Sequence, residues 1–90
     1  MMPMDVHTIK NGIKAHIRNN CLDPVNLHKL NDDASFFEND IIDSVGVLEL
    51  VAFVEDTFRI TINDDELTLE NLDSVNRLLS FIQSKQSVDW

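Results

Sequence analysis

NDIIDSVGVLELVAFVEDTF, residues 39–58, reads as a short approach and then a helix with two apolar sides. Advancing about 100° per residue from Val47 brings Leu50, Val51, Val54 and Phe58 within about 60° of it, the arc of a core-facing stripe. Val45, Leu48 and Ala52 fall on the other side, with Glu49, Glu55 and Asp56 around them. A helix at the edge of a small domain buries one side only, so the second stripe needs a different account. Asp43 stands at the N-cap position, where a carboxylate accepts from free backbone N–H groups. Ser44 is then the first residue of a helix expected over 44–58. Its hydroxyl lies outside the hydrogen-bonded cylinder, near the positive end of the dipole. Taken bare, the Asp-Ser pair is a common cap as well as a place for modification.

Asp43-Ser44-Val45 followed by GVLELVAFVEDTF resembles the Asp-Ser-Leu segment and second helix of the acyl carrier proteins. The similarity runs from about Asp33, in DASFFEND, to Ile82. The resemblance implies that Ser44 carries 4′-phosphopantetheine, received from coenzyme A and held through a phosphodiester, with Asp43 as cap and as part of what the transferase recognises. It implies docking of partner enzymes on Val45, Leu48, Glu49, Ala52, Glu55 and Asp56. The partners would be a phosphopantetheinyl transferase, an acyl- or adenylate-forming ligase, and a ketosynthase or other acyl-processing enzyme with a basic surface. Val45 stands where leucine is usual. Gly46 and Ala52 replace the acidic and bulky residues common in carriers of fatty-acid synthesis. The run IIDSVGVLELVAF is closer to stand-alone carriers that work beside adenylate-forming ligases. The implied function is thioester tethering of acyl groups in fatty acid, polyketide or related biosynthesis. Two alternatives remain: an aminoacyl or aryl carrier loaded by an adenylating ligase, and a docking module that is never modified.

Ninety residues are one domain's worth of chain, and 43% of them are apolar, enough for a core without metal or disulfides. The single cysteine, Cys21, has no partner within the chain and fits a reducing compartment. No signal-peptide pattern follows Met1, and the most apolar stretch, 45–54, is about half a membrane span and contains Glu49. A cytoplasmic monomer away from membranes is expected. The net charge of −9 is concentrated, with thirteen acids in residues 32–73 against Arg59 alone. That disfavours nucleic acid, which requires a basic footprint, and favours basic protein surfaces.

Before this helix, residues 5–20 repeat in the helical manner, with Val6, Ile9, Ile13 and Ile17 on one stripe and Asp5 as cap. Residues 21–43 show Pro24 and no sustained period, so a long loop is expected, anchored by Leu27, Leu30, Phe36 and Phe37. Ile41 and Ile42 are expected to pack under the chain. Beyond the helix, 59–62 reads as an extended passage without a partner strand. Thr68 caps a short helix over about 68–72, and Ser74 caps a last helix over 74–84, with Val75, Leu78, Leu79 and Ile82 inward. Residues 84–90 are expected to fray. The expected fold is all-α, a single carrier domain over 1–90: an up-and-down bundle of three main helices and one short one.

Nothing in this pattern assembles catalysis. Ser44 has no histidine near it in sequence, and no G-x-S-x-G or phosphate-binding glycine loop exists in a chain with only Gly12 and Gly46. His7, His16 and His28 lack the spacing of zinc ligands and are expected at the surface. Asn31-Asp32-Asp33 lacks the alternation and the glycine of a calcium loop.

Overall fold

The computed structural model describes residues 5–21 and 23–87, and all regular structure among them is helical. The expectations placed on Met1–Met4, Leu22 and residues 88–90 lie outside the described residues. Four α-helices follow in order: α1 Val6–Asn20, α2 Ser44–Phe58, α3 Leu69–Leu72 and α4 Val75–Ser87. Helix α1 packs on both α2 and α4, and α3 packs on α4. The result is the expected small helical bundle, with the long connection wrapped from α1 to α2.

Each helix starts where its local chemistry dictates. The Asp5 carboxylate accepts from Thr8 N–H at 2.7 Å, and that of Asp43 from Gly46 N–H at 2.8 Å. Thr68 Oγ1 accepts from Asn71 N–H at 3.3 Å, and Ser74 Oγ from Arg77 N–H at 3.1 Å. Such caps satisfy helical donors that have no intrahelical acceptor. The core joins Ile9, Ile13 and Ile17 of α1 to Leu50, Val54 and Phe58 of α2 and to Val75, Leu78 and Ile82 of α4. Leu79 packs at its margin. Val6 departs from the expected stripe: it is 44% exposed, because it sits in the first turn and lines an open groove with Lys10 and Asp32.

The long connection is more ordered than its sequence suggested. Pro24–Lys29 forms a 3-10 helix whose Asp23 cap accepts from Val25 N–H at 3.0 Å. Six residues with proline at the start leave no 3.6-residue apolar period to detect. Phe36, Ile41 and Ile42 are buried, and Leu27 and Leu30 lie against the core. Phe37 is half-buried. Asp32 takes the ammonium groups of both Lys10 and Lys14 at 2.8 Å, fastening the loop to α1.

Residues 59–62 form no strand, and Ile62 N–H donates instead to Glu55 Oε2 at 2.9 Å. Helix α4 continues to Ser87, three residues past its expected end. Lys85 Nζ reaches Glu66 Oε1 at 2.8 Å, and Gln86 Nε2 donates to the Phe58 carbonyl at 3.4 Å. These distant partners fix a turn that its polar composition alone would leave frayed. No helix among the described residues is long and apolar enough to cross a membrane.

Candidate functional site

The buried stripe of α2 fixes how the rest of the helix is presented. Leu50, Val54 and Phe58 are buried and Val47 and Val51 half-buried, which turns Val45, Leu48, Glu49, Ala52 and Asp56 to solvent. Val45 and Leu48 are 64% and 62% exposed, in side chains whose ordinary place is a core. Glu55 does not belong to this face. It stands about 80° from the centre of the core stripe at 100° per residue, on the flank. There it is half-buried, with its carboxylate on the Ile62 N–H. The expectation that it joins the outward acids is corrected accordingly.

At the head of the face, Asp43 is extended (φ −111°, ψ −171°) and Ser44 begins the helix, exposed. The Asp43 carbonyl accepts from Val47 N–H at 3.0 Å while its carboxylate holds Gly46 N–H. Gly46 is closely backed: a Cβ there would lie 3.2 Å from Ile42 Cβ and 3.4 Å from Asp43 Oδ1. Position 46 therefore accommodates a side chain only if the residues entering the helix shift.

Near this region one residue departs from its sequence reading and another had none. His16 of α1 is half-buried and stacked on Phe53 of α2, with ring centroids 4.5 Å apart and planes 20° from parallel. His7 and His28 are exposed, as expected. Burial pushes the His16 pKa down, opposed by the nearby Glu49 charge. Asp73 was not singled out by the sequence, yet it is buried at 7% exposure and bonded to the loop before α2. Its one local signal is its place between two helices, in Leu72-Asp73-Ser74-Val75.

An anion covalently held at Ser44 would meet the N-terminus of a fifteen-residue helix, where the dipole and the first N–H groups favour negative charge. The exposed Ser44 leaves room for a substituent, and Asp43 Oδ1 is engaged by the Gly46 N–H. The residues present fit a phosphodiester-linked arm.

Comparison with known proteins agrees with this geometry. Residues 22–82 match the phosphopantetheine attachment site family, and the chain belongs to that family. Its cofactor is accordingly covalent 4′-phosphopantetheine. Among curated relatives, the acyl carrier protein of Exiguobacterium sibiricum is 43% identical over 53 residues, which are 59% of this chain and 65% of that protein. The acyl carrier protein of Buchnera aphidicola is 37% identical over 57 residues, 63% of this chain and 69% of that protein. The matches thus span about two thirds of these relatives' length.

Proposed function

We propose that this chain is an acyl carrier whose arm is attached at Ser44. The observation that carries the reading is the exposed serine at the head of α2, above a solvent-facing apolar stripe bordered by Glu49 and Asp56. The transfer makes a bond from Ser44 Oγ to the pantetheine-side phosphorus of coenzyme A and breaks its pyrophosphate bond, releasing adenosine 3′,5′-bisphosphate, with the serine proton passing to the transferase. Once bound, the arm supplies a thiol that holds an acyl group as an activated thioester. The protein's own residues contribute position. Asp43 fixes the first turn, the core stripe fixes the rotation of α2, and Val45, Leu48 and Ala52 offer the apolar contact. Glu49 and Asp56 steer basic surfaces toward it.

On this reading the chain is a carrier and the chemistry belongs to its partners: the transferase, the loading ligase and the acyl-processing enzymes, in fatty acid, polyketide or related biosynthesis. Intact-mass analysis after incubation with coenzyme A and a broad-specificity phosphopantetheinyl transferase tests it. The wild type should gain one arm and Ser44→Ala none. Modification of the alanine variant, or an unmodified wild type, would overturn the assignment.

A further inference from the structure

The one buried acid among the described residues whose partners lie in the approach to the attachment helix is Asp73. Its carboxylate accepts from the Ser35 hydroxyl and, through Oδ1, from Phe37 N–H at 3.1 Å. Its carbonyl accepts from Phe36 N–H at 2.9 Å. Three successive residues of the loop are thus bound to one residue at the junction of α3 and α4. A carboxylate taken out of water is costly unless its oxygens accept hydrogen bonds, and both oxygens of Asp73 do so from the loop.

The bonds continue toward Ser44. Ser35 Oγ also accepts from Glu38 N–H at 3.1 Å, and Asn39 N–H donates to the Ser35 carbonyl at 3.2 Å. The turn closes through Asp40, held at φ 54° with its carbonyl on the Asn26 amide at 3.1 Å. Ile41 N–H and Ile42 N–H then return to the Phe36 carbonyl at 2.8 and 3.4 Å, and both side chains enter the core. Ile42 lies against Gly46 and is followed directly by Asp43, the cap of α2. Every link between Asp73 and Ser44 is a hydrogen bond, a buried side chain or a peptide bond.

We propose that Asp73 is a positioning residue for arm transfer: through residues 35–37 and the turn they begin, it fixes the backbone that presents Ser44. The proposal rests on Ser44 as the attachment point. A carrier whose serine must enter another enzyme's active site gains from a defined entry to its helix, because misplacement of the reacting oxygen lowers the productive fraction. Of the outer face of α2, Leu48, Glu49, Ala52 and Asp56 lie a turn or more beyond the cap, so loss of the clamp should disturb docking less than it disturbs Ser44.

The test measures arm transfer from coenzyme A by a phosphopantetheinyl transferase at varied carrier concentration, alongside amide hydrogen exchange by NMR. The variants are Asp73→Ala, Asp73→Asn and Ser35→Ala, with Ile9→Val as a control that loosens the shared core from α1 without touching the Asp73 hydrogen bonds. Loss of a charge-assisted bond should lower kcat about tenfold in Asp73→Ala with KM within about twofold. Exchange at Ile41 and Ile42 should quicken about tenfold more than at Leu50 and Val54, the signature of a local opening. Asparagine keeps an acceptor for Phe37 N–H and can donate to Ser35 Oγ, so it should restore most of the rate. Ser35→Ala, the milder change, should move both readouts in the same direction.

A rate for Asp73→Ala no lower than that of Ile9→Val would overturn the proposal, as would an asparagine variant no better than alanine. A wild type without an arm at Ser44 would remove the carrier reading itself. Exchange then still judges the clamp, since unchanged protection at Ile41 and Ile42 in Asp73→Ala would refute it on its own.

Discussion

Leu48 and Leu50 stand two residues apart on α2, and their truncation should separate stability from recognition. Leu50 is fully buried in the shared core of α1, α2 and α4, whereas Leu48 is 62% exposed. Leu50→Ala removes buried methyl groups and leaves a cavity, at a cost of about 3 kcal/mol. With a urea slope of about 1 kcal/mol per molar for so small a domain, the midpoint should fall by about 3 M. Leu48→Ala gives up little buried surface and should cost about 0.5 kcal/mol or less. On arm transfer the order reverses. Removing an apolar contact at the centre of a docking patch costs about 1 kcal/mol, so Leu48→Ala should raise KM for the transferase about fivefold. Urea titration by circular dichroism and initial-rate measurements on the same preparations read both quantities. A Leu48→Ala protein as unstable as Leu50→Ala would refute the assignment of faces. A normal KM in a normally stable Leu48→Ala protein would refute the docking role of the stripe.

Two further outcomes follow from local geometry. Arg59 ends α2 in the left-handed region (φ 58°, ψ 46°), so Arg59→Gly should raise the urea midpoint, the relief of about 1 kcal/mol exceeding glycine's added chain entropy. Hydrogen bonds from Lys10 and Lys14 hold the Asp32 carboxyl below the usual carboxylate range, so its contribution is present above an unfolded value of about 3.9 and is lost as pH falls through the lower folded value. Asp32→Asn should therefore lower the melting temperature at neutral pH and flatten its decline on acidification, and an unchanged acid limb would contradict the linkage.

What the sequence disclosed was whatever depends on neighbours within about one helical turn. Ile9, Ile13 and Ile17 declare α1 by their spacing, and Asp5, Asp43, Thr68 and Ser74 declare helix starts because a cap bonds three residues ahead or fewer. The exposed serine at the head of α2 and the outward stripe were legible for the same reason. What escaped was set by partners far along the chain. Helix α4 reaches Ser87 with Lys85 on Glu66 and Gln86 on Phe58, 19 and 28 residues away. His16 meets Phe53 only because α1 and α2 cross there. Glu55 could be placed near the flank by its angle, but its capture by Ile62 N–H depends on the path of the chain after Phe58. Asp73 reaches Ser35 and Phe37 across 38 and 36 residues, and no periodicity encodes such a bond.

The order around Ser44 is supplied by its neighbours and not by Ser44. As the first residue of α2, with an exposed side chain, it can lose its hydroxyl without opening a cavity or stripping a buried partner. Asp43 holds the first turn through Gly46 N–H, and Ile42 backs Gly46 so closely that a Cβ would lie 3.2 Å from its own. Ile42 is in turn returned to Phe36, and Phe36 to Asp73. An added side chain at position 46 would therefore press on the cap and on the chain entering it, while a change at Ser44 would disturb neither. Ser44→Ala should thus remove the arm from a protein of normal stability, and Gly46→Val should keep the hydroxyl but displace its setting. The residue proposed to carry the arm is structurally the most replaceable of the group.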